Sequence, residues 1–166
     1  MSGEARKENY YLLAQDEIRF FKAFSSLIVP SGKDAKTEPG ALEVGVATYI
    51  DSTLDSFPPP VQQYFRDCIS VVDSRSQNKF QSKFVDLSGA DKNIVLRELF
   101  LDPKTRERVF DLRSLALEGF YSDYHDPWYD GATGWDFTKF GGKRVSDIKK
   151  DWSFLRVWRE WNKKSE

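Results

Sequence analysis

The sequence predicts an all-α fold, a single bundle of about five core helices, and three observations carry that prediction. Apolar residues recur at three- and four-residue steps through the first two-thirds of the chain. Prolines and polar-glycine clusters fall between those periodic segments, where helices should end. No segment sustains the period-two alternation of a half-buried strand.

The first periodic segment runs from about Gln15 to Val29, with Ile18, Phe21, Phe24 and Ile28 on one stripe and Phe20 and Leu27 widening it. Asp16 suits its first turn, and Pro30-Ser31-Gly32 ends it. Residues 32–39 then read as a polar loop with no apolar anchor, and mobility is expected there. Pro39-Gly40 introduces a second helix with Leu42, Val46, Tyr49, Ile50 and Leu54 inside. Pro58-Pro59-Pro60 stops it and pre-sets the first turn of a third, where a missing N–H costs nothing. Val61, Phe65, Cys68, Ile69 and Val72 form its inner side, and Ser74 to Lys79 reads as a polar break. Ser88 with Asp91 resembles a capping box opening a fourth helix, which should bury Ile94, Val95, Leu96, Leu99 and Phe100. Asp102-Pro103 separates it from a fifth, with Val109, Leu112, Ala116 and Phe120 inside.

The chain changes character after Tyr121. From Ser122 to Gly142, four glycines alternate with Tyr124, Trp128, Tyr129, Trp135, Phe137 and Phe140. A loop so long is usually functional, and rings so dense need a cover. The stretch from about Ser146 has helical periodicity, with Ile148, Trp152 and Leu155 on one stripe and Phe154, Trp158 and Trp161 along its flank. The organisation expected is an N-terminal arm over 1–14, a bundle over 15–121, and an aromatic loop and tail over 122–166 within the same domain.

Composition narrows the function. The 166 residues suit one domain with a real core, and 40% hydrophobic with 31% charged is a globular balance. A net charge of −1, without a segregated basic stretch, argues against nucleic acid as main partner. No apolar run is long enough to span a membrane. Neither a twin arginine nor a signal-length apolar stretch stands near Met1, so a cytoplasmic protein is expected, or a periplasmic one exported with a partner's signal. The aromatic share of 15% exceeds what packing usually demands, and either an aromatic core or an interface would account for it.

Catalytic constellations are sparse. His125, the single histidine, lies beside Asp123 and Asp126 in the aromatic loop, where a structural hydrogen bond is the simpler role. No G-x-S-x-G is present, one histidine and one cysteine do not make a zinc site, and the loop aspartates miss calcium-loop spacing. Cys68 sits on an apolar helical face and reads as an inert thiol. Gly40 and Gly45 lack the lysine of a phosphate loop, and Gly131 and Gly134 do not follow a strand. The expectation is a chain with no catalytic, cofactor or metal site of its own.

Three stretches resemble the gluconate 2-dehydrogenase subunit 3 family. One is the first helix closing on Leu27-Ile28-Val29-Pro30. Another is Pro39-Gly40-Ala41-Leu42-Glu43-Val44-Gly45-Val46 running into Tyr49-Ile50-Asp51, similar to that family's Gly-Ala, Gly-Val and Ile-Asp steps. The third is Gly119-Phe120-Tyr121-Ser122 with Tyr129-Asp130-Gly131, Gly134-Trp135 and Phe140-Gly141-Gly142, where Asp130 replaces the first glycine of a Tyr-Gly-Gly step. The resemblance implies a non-catalytic small subunit that helps a large partner fold. That partner would bind FAD, belong to the glucose-methanol-choline oxidoreductase type and oxidise a sugar, glycoside or polyol, with a possible further electron-acceptor subunit. It also implies an interface through Tyr121, Trp128, Tyr129, Trp135 and Phe140, extended by Trp152, Trp158 and Trp161, with His125 or Trp128 near the rim of the partner's substrate pocket. The competing expectation is a stand-alone helical adaptor or chaperone without a fixed oxidoreductase partner.

Overall fold

The computed structural model describes residues 10–122 and 131–137, with the backbone alone for Trp135 and Phe137. Six helices follow in order: α1 (Gln15–Ile28), α2 (Val46–Asp55), α3 (Pro59–Phe80), α4 (Gly89–Leu101), α5 (Arg106–Tyr121) and the short α6 (Gly134–Phe137). A single 3-10 turn, Phe84–Asp86, joins α3 to α4. Among the described residues there is no strand, and the all-α expectation holds.

Two helices organise the rest. α5 packs against α1, α2, α3 and α4, and α1 packs against α2, α3, α5 and the 3-10 turn. The α1 stripe explains its central place, because Ile18, Phe20, Phe21 and Phe24 are all buried. Phe20 stacks on Phe24 at 5.7 Å, and Phe84 from the 3-10 turn closes on Phe20 at 5.5 Å. Five phenylalanines, these with Phe21 and Phe120, are therefore core. The Phe84 amide donates to Asp73 of α3 at 3.0 Å, which fixes the turn that delivers this ring.

Proline chemistry works as the sequence implied. Pro58 is the N-cap of α3 in extended conformation, and Pro59 and Pro60 occupy the first helical positions. Ser88 caps α4, its Oγ accepting from the Asp91 amide at 3.1 Å. The Ser88 hydroxyl in turn donates to the Asp91 carboxylate at 2.7 Å, in place of the backbone amide that a capping box would use. At α1 it is Glu17, rather than Asp16, that reaches back to the Ala14 amide at 2.8 Å, while Asp16 pairs with Lys83 and Arg19.

Three expectations need correction. The second helix starts at Val46, not near Leu42, because Gly45 adopts φ 78° and ψ 34° and a left-handed residue cannot continue a right-handed helix. Residues 41–45 are a turn that buries Ala41 and Val44 and leaves Leu42 exposed. The polar run from Ser74 to Lys79 is no break, and α3 passes through it. Its polar groups are satisfied in place: the buried Ser76 hydroxyl donates to the Val72 carbonyl, Arg75 pairs with Glu98 and Asp102, and Lys79 pairs with Glu98. Ile94 points outward at 42% exposure, since Val95, Leu96 and Leu99 already fill the inner face of α4. Within residues 32–39 the Gly32 amide donates to the Glu38 carbonyl and the Glu38 amide to that of Asp34.

Two polar braces hold α5. The Tyr64 hydroxyl of α3 donates to Asp111 at 2.5 Å, and the Tyr49 hydroxyl of α2 donates to Glu118 at 2.8 Å. The bond to the Asp111 carboxylate, helped by desolvation, pushes the Tyr64 phenol well above its usual range. Burial pushes the Cys68 thiol up to about 11, so it stays protonated at neutral pH and packs as a small hydrophobe.

The most consequential polar group is Asp51, which is fully buried on α2. Its carboxylate accepts three successive backbone amides of the N-terminal segment: Tyr11 at 2.6 Å, Leu12 at 3.1 Å and Leu13 at 2.7 Å. Oδ1 takes the amides of Leu12 and Leu13, and Oδ2 takes that of Tyr11. One side chain thereby straps the segment ahead of α1 across α2. Removing it orphans three donors, so Asp51→Ala should cost about 3–5 kcal/mol. Asp51→Asn keeps one accepting oxygen but turns an NH2 toward the Tyr11 amide, and should cost about 1–3 kcal/mol. Urea unfolding of the three proteins checks this order; equal stability of wild type and Asp51→Ala would contradict the strap.

Candidate partner interface

Of the residues that resembled family motifs, the described ones from residues 29–51, 119–122 and 131–134 meet at one junction. It is built from the N-terminal half of α2, the C-terminal end of α5, α6 and the turn after α1. Gly119 is the pivot between α2 and α5. A Cβ there would lie 2.8 Å from the Tyr49 ring and 3.1 Å from a Val46 methyl, so only glycine permits this approach. Phe120 follows into the core, and Tyr121 turns outward at 47% exposure with its ring edge-on to Phe120 at 5.0 Å. The Ser122 hydroxyl then donates back to the Gly119 carbonyl at 2.9 Å, at the end of the helix.

The chain returns to the same place at 131–137. The Ala132 amide donates to the Lys36 carbonyl at 3.0 Å, joining this segment to the turn after α1. Asp136 accepts from the Thr133 amide at 2.7 Å and its hydroxyl at 3.2 Å, which nucleates the short α6. Gly134 presses on the end of α5, for a Cβ there would stand 2.0 Å from the Phe120 carbonyl oxygen. That contact is with backbone, which cannot step aside as a side chain could.

Gly40 completes the junction. A Cβ on it would meet the Ser31 amide nitrogen at 2.5 Å, and the Ala41 amide donates to the Val29 carbonyl at 2.9 Å. Glu43 ties the turn together, accepting from the Gly40 amide at 2.8 Å and the Ser31 hydroxyl at 2.7 Å. Partial burial opposes ionisation of Glu43, but hydrogen bonds from Ser31 and from backbone amides, its own and that of Gly40, outweigh it and hold the carboxyl below its usual range.

Chemically the junction offers anchors rather than reactive groups. Among the described residues, no three His, Cys, Asp or Glu side chains converge in a way that could hold a metal ion. No helix there is long and apolar enough to cross a membrane. Of the interface residues expected from sequence, Tyr121 is placed and exposed at the junction. Trp135 lies in α6, its side chain outside the description, and His125, Trp128, Tyr129, Phe140, Trp152, Trp158 and Trp161 lie outside the described residues. Sequence reading overlooked two exposed apolar residues, Leu42 in the turn before α2 and Tyr11 in the strapped segment. The left-handed preference of Gly45 was the available signal for Leu42. Nothing local marks Tyr11, whose exposure follows from the distant Asp51.

The two glycine contacts differ in what they control. Gly119→Ala should lower global stability by about 1–3 kcal/mol through crowding of Tyr49 and Val46. Gly134→Ala should leave the thermal transition of the bundle nearly unchanged while releasing the amides of 131–137 to faster hydrogen exchange. A Gly134→Ala protein with undisturbed exchange in that segment would refute the close approach.

No curated protein and no solved structure matches the chain. Residues 15–142, more than three-quarters of its length, match the family described as gluconate 2-dehydrogenase subunit 3. The matched span begins with α1 and takes in Asp51, Gly119 and Gly134. The chain belongs to the gluconate 2-dehydrogenase subunit 3 family, small accessory subunits of dehydrogenase complexes.

Proposed function

We propose that this chain is a non-catalytic small subunit that binds, stabilises and helps mature a large FAD-dependent dehydrogenase of the glucose-methanol-choline type. The complex oxidises a sugar, glycoside or polyol, and the flavin belongs to the large subunit. The observation that supports this reading best is the convergence of Gly40, Gly119 and Gly134 at one junction, beside the exposed ring of Tyr121. Three close approaches at glycine, two against backbone and one against the Tyr49 ring and a Val46 methyl, hold a surface in one shape, which lowers the entropy lost on docking. An outward tyrosine on such a surface is the type of rigid anchor that dominates interface energetics.

The division of labour follows from the chemistry. This chain contributes apolar cover and fixed geometry, and hydride removal falls to the flavin of the partner. Its effect on turnover then comes through folding and assembly of the large subunit. Co-expression with the genes that neighbour its own, followed by capture on a tag, should give a yellow complex with flavin absorption bands and a large second subunit. Tyr121→Ala should weaken that complex by at least about tenfold without unfolding the small subunit. A colourless monomer would overturn the reading and leave a stand-alone adaptor in its place, whereas a yellow complex indifferent to Tyr121 would remove that ring from the interface.

A further inference from the structure

α5 is apolar on two sides. Val109, Leu112, Leu115, Ala116 and Phe120 are buried, as suits a helix packed against α1, α2, α3 and α4. The opposite side does not carry the polar face expected of a helix that meets only water. Phe110, Ser114, Leu117 and Tyr121 follow at steps of four, three and four residues, which sets them in one row along the helix. Phe110 is 52% and Tyr121 47% exposed, and Leu117 between them is half-buried. Arg108, two residues before Phe110 and so about 200° round the helix from it, lines a groove beside α3 instead.

The row has Tyr121, the anchor of the proposed dehydrogenase contact, at one end. Eleven residues of helix put Phe110 about 16 Å from it. A stable interface takes about 800 Å² from each partner, a patch about 30 Å across. The half-exposed side chains of Tyr121 and of Leu42, four residues before Val46, fall well short of that area. A partner seated on Tyr121 with a footprint of ordinary size therefore reaches Phe110, and the row between them is its apolar continuation. Beyond Phe110 the exposed surface of α5 turns charged at Arg106 and Glu107, which suits the polar rim of an interface.

We propose that the large flavoprotein subunit lies along this row, from Tyr121 at the glycine junction to Phe110, with α5 as the spine of the contact. The inference rests on the dehydrogenase reading and adds the direction in which the partner extends. A second copy of this chain, or its own residues 143–166, laid along the same row would cover Tyr121 as well and compete with the dehydrogenase.

Amides inside α5 are already hydrogen-bonded within the helix, so the contact is read through side chains. Phe110 is replaced by the photocrosslinking amino acid p-benzoylphenylalanine in the full chain, and the co-expressed complex is irradiated. A covalent product of small plus large subunit is expected, with none from the same group at Asn78, which is exposed on α3 beside the groove. Phe110→Ala should weaken assembly at least about fivefold and leave the thermal transition of the free subunit unchanged. A yellow complex in which position 110 stays unlinked, or in which Phe110→Ala assembles as tightly as wild type, would overturn this footprint and leave the dehydrogenase reading standing. A link from position 110 to a second copy, or to residues 143–166 of its own chain, would overturn it in favour of that occupant. Absence of any complex would overturn the reading and the footprint together.

Discussion

The buried carboxylate of Asp51 is the constraint on which the rest of this fold depends. A polar group away from water is tolerated only where hydrogen-bond partners surround it, and here they are three consecutive amides of a different part of the chain. That arrangement has two effects at once. It satisfies backbone groups ahead of α1 that have no intrahelical partner, and it fixes how α1 enters the bundle relative to α2. Because α1 supplies Phe20, Phe21 and Phe24 to the core, the strap also sets the register of the aromatic cluster around Phe84. An apolar residue at this position could pack, but it could not hold the preceding segment in place.

From that strap, geometry passes to the far side of α2 through glycine. Val46 and Tyr49 lie five and two residues before Asp51 on the same helix, and they are the groups that touch Gly119. The end of α5 is thereby located, and Gly134 seats α6 on it by backbone contact. A sequence of close approaches thus runs from the N-terminal segment to the outward ring of Tyr121. Each step uses a residue whose virtue is what it lacks, a side chain, or what it saturates, a set of amides. This explains why a surface whose described residues bring no metal-ligating cluster together still needs particular residues at particular places.

Much of the architecture was legible in the sequence because helical periodicity and proline placement are local signals. The α1 and α5 stripes, the Pro58–Pro60 junction and the Ser88 cap all followed from spacing alone. What escaped was decided by distant partners or backbone handedness. The run from Ser74 to Lys79 looked like a break until Glu98 and Asp102 of α4 were seen to satisfy Arg75 and Lys79. Leu42 fitted a helical stripe, and a single left-handed glycine three residues later removed it. The family motifs were visible as patterns, yet their glycines acquire a reason only through the atoms that press on them. The role of Asp51 could not be read at all, since its partners lie about forty residues away.

The central claim is that the glycine-set junction is the face by which this subunit holds its dehydrogenase. Hydrogen–deuterium exchange of the small subunit, free and in the reconstituted complex, tests it most directly. The account predicts slowed exchange concentrated at residues 40–46, 119–122 and 131–137 on assembly. Exchange left unchanged at all three segments, in a complex that nonetheless forms, would contradict it.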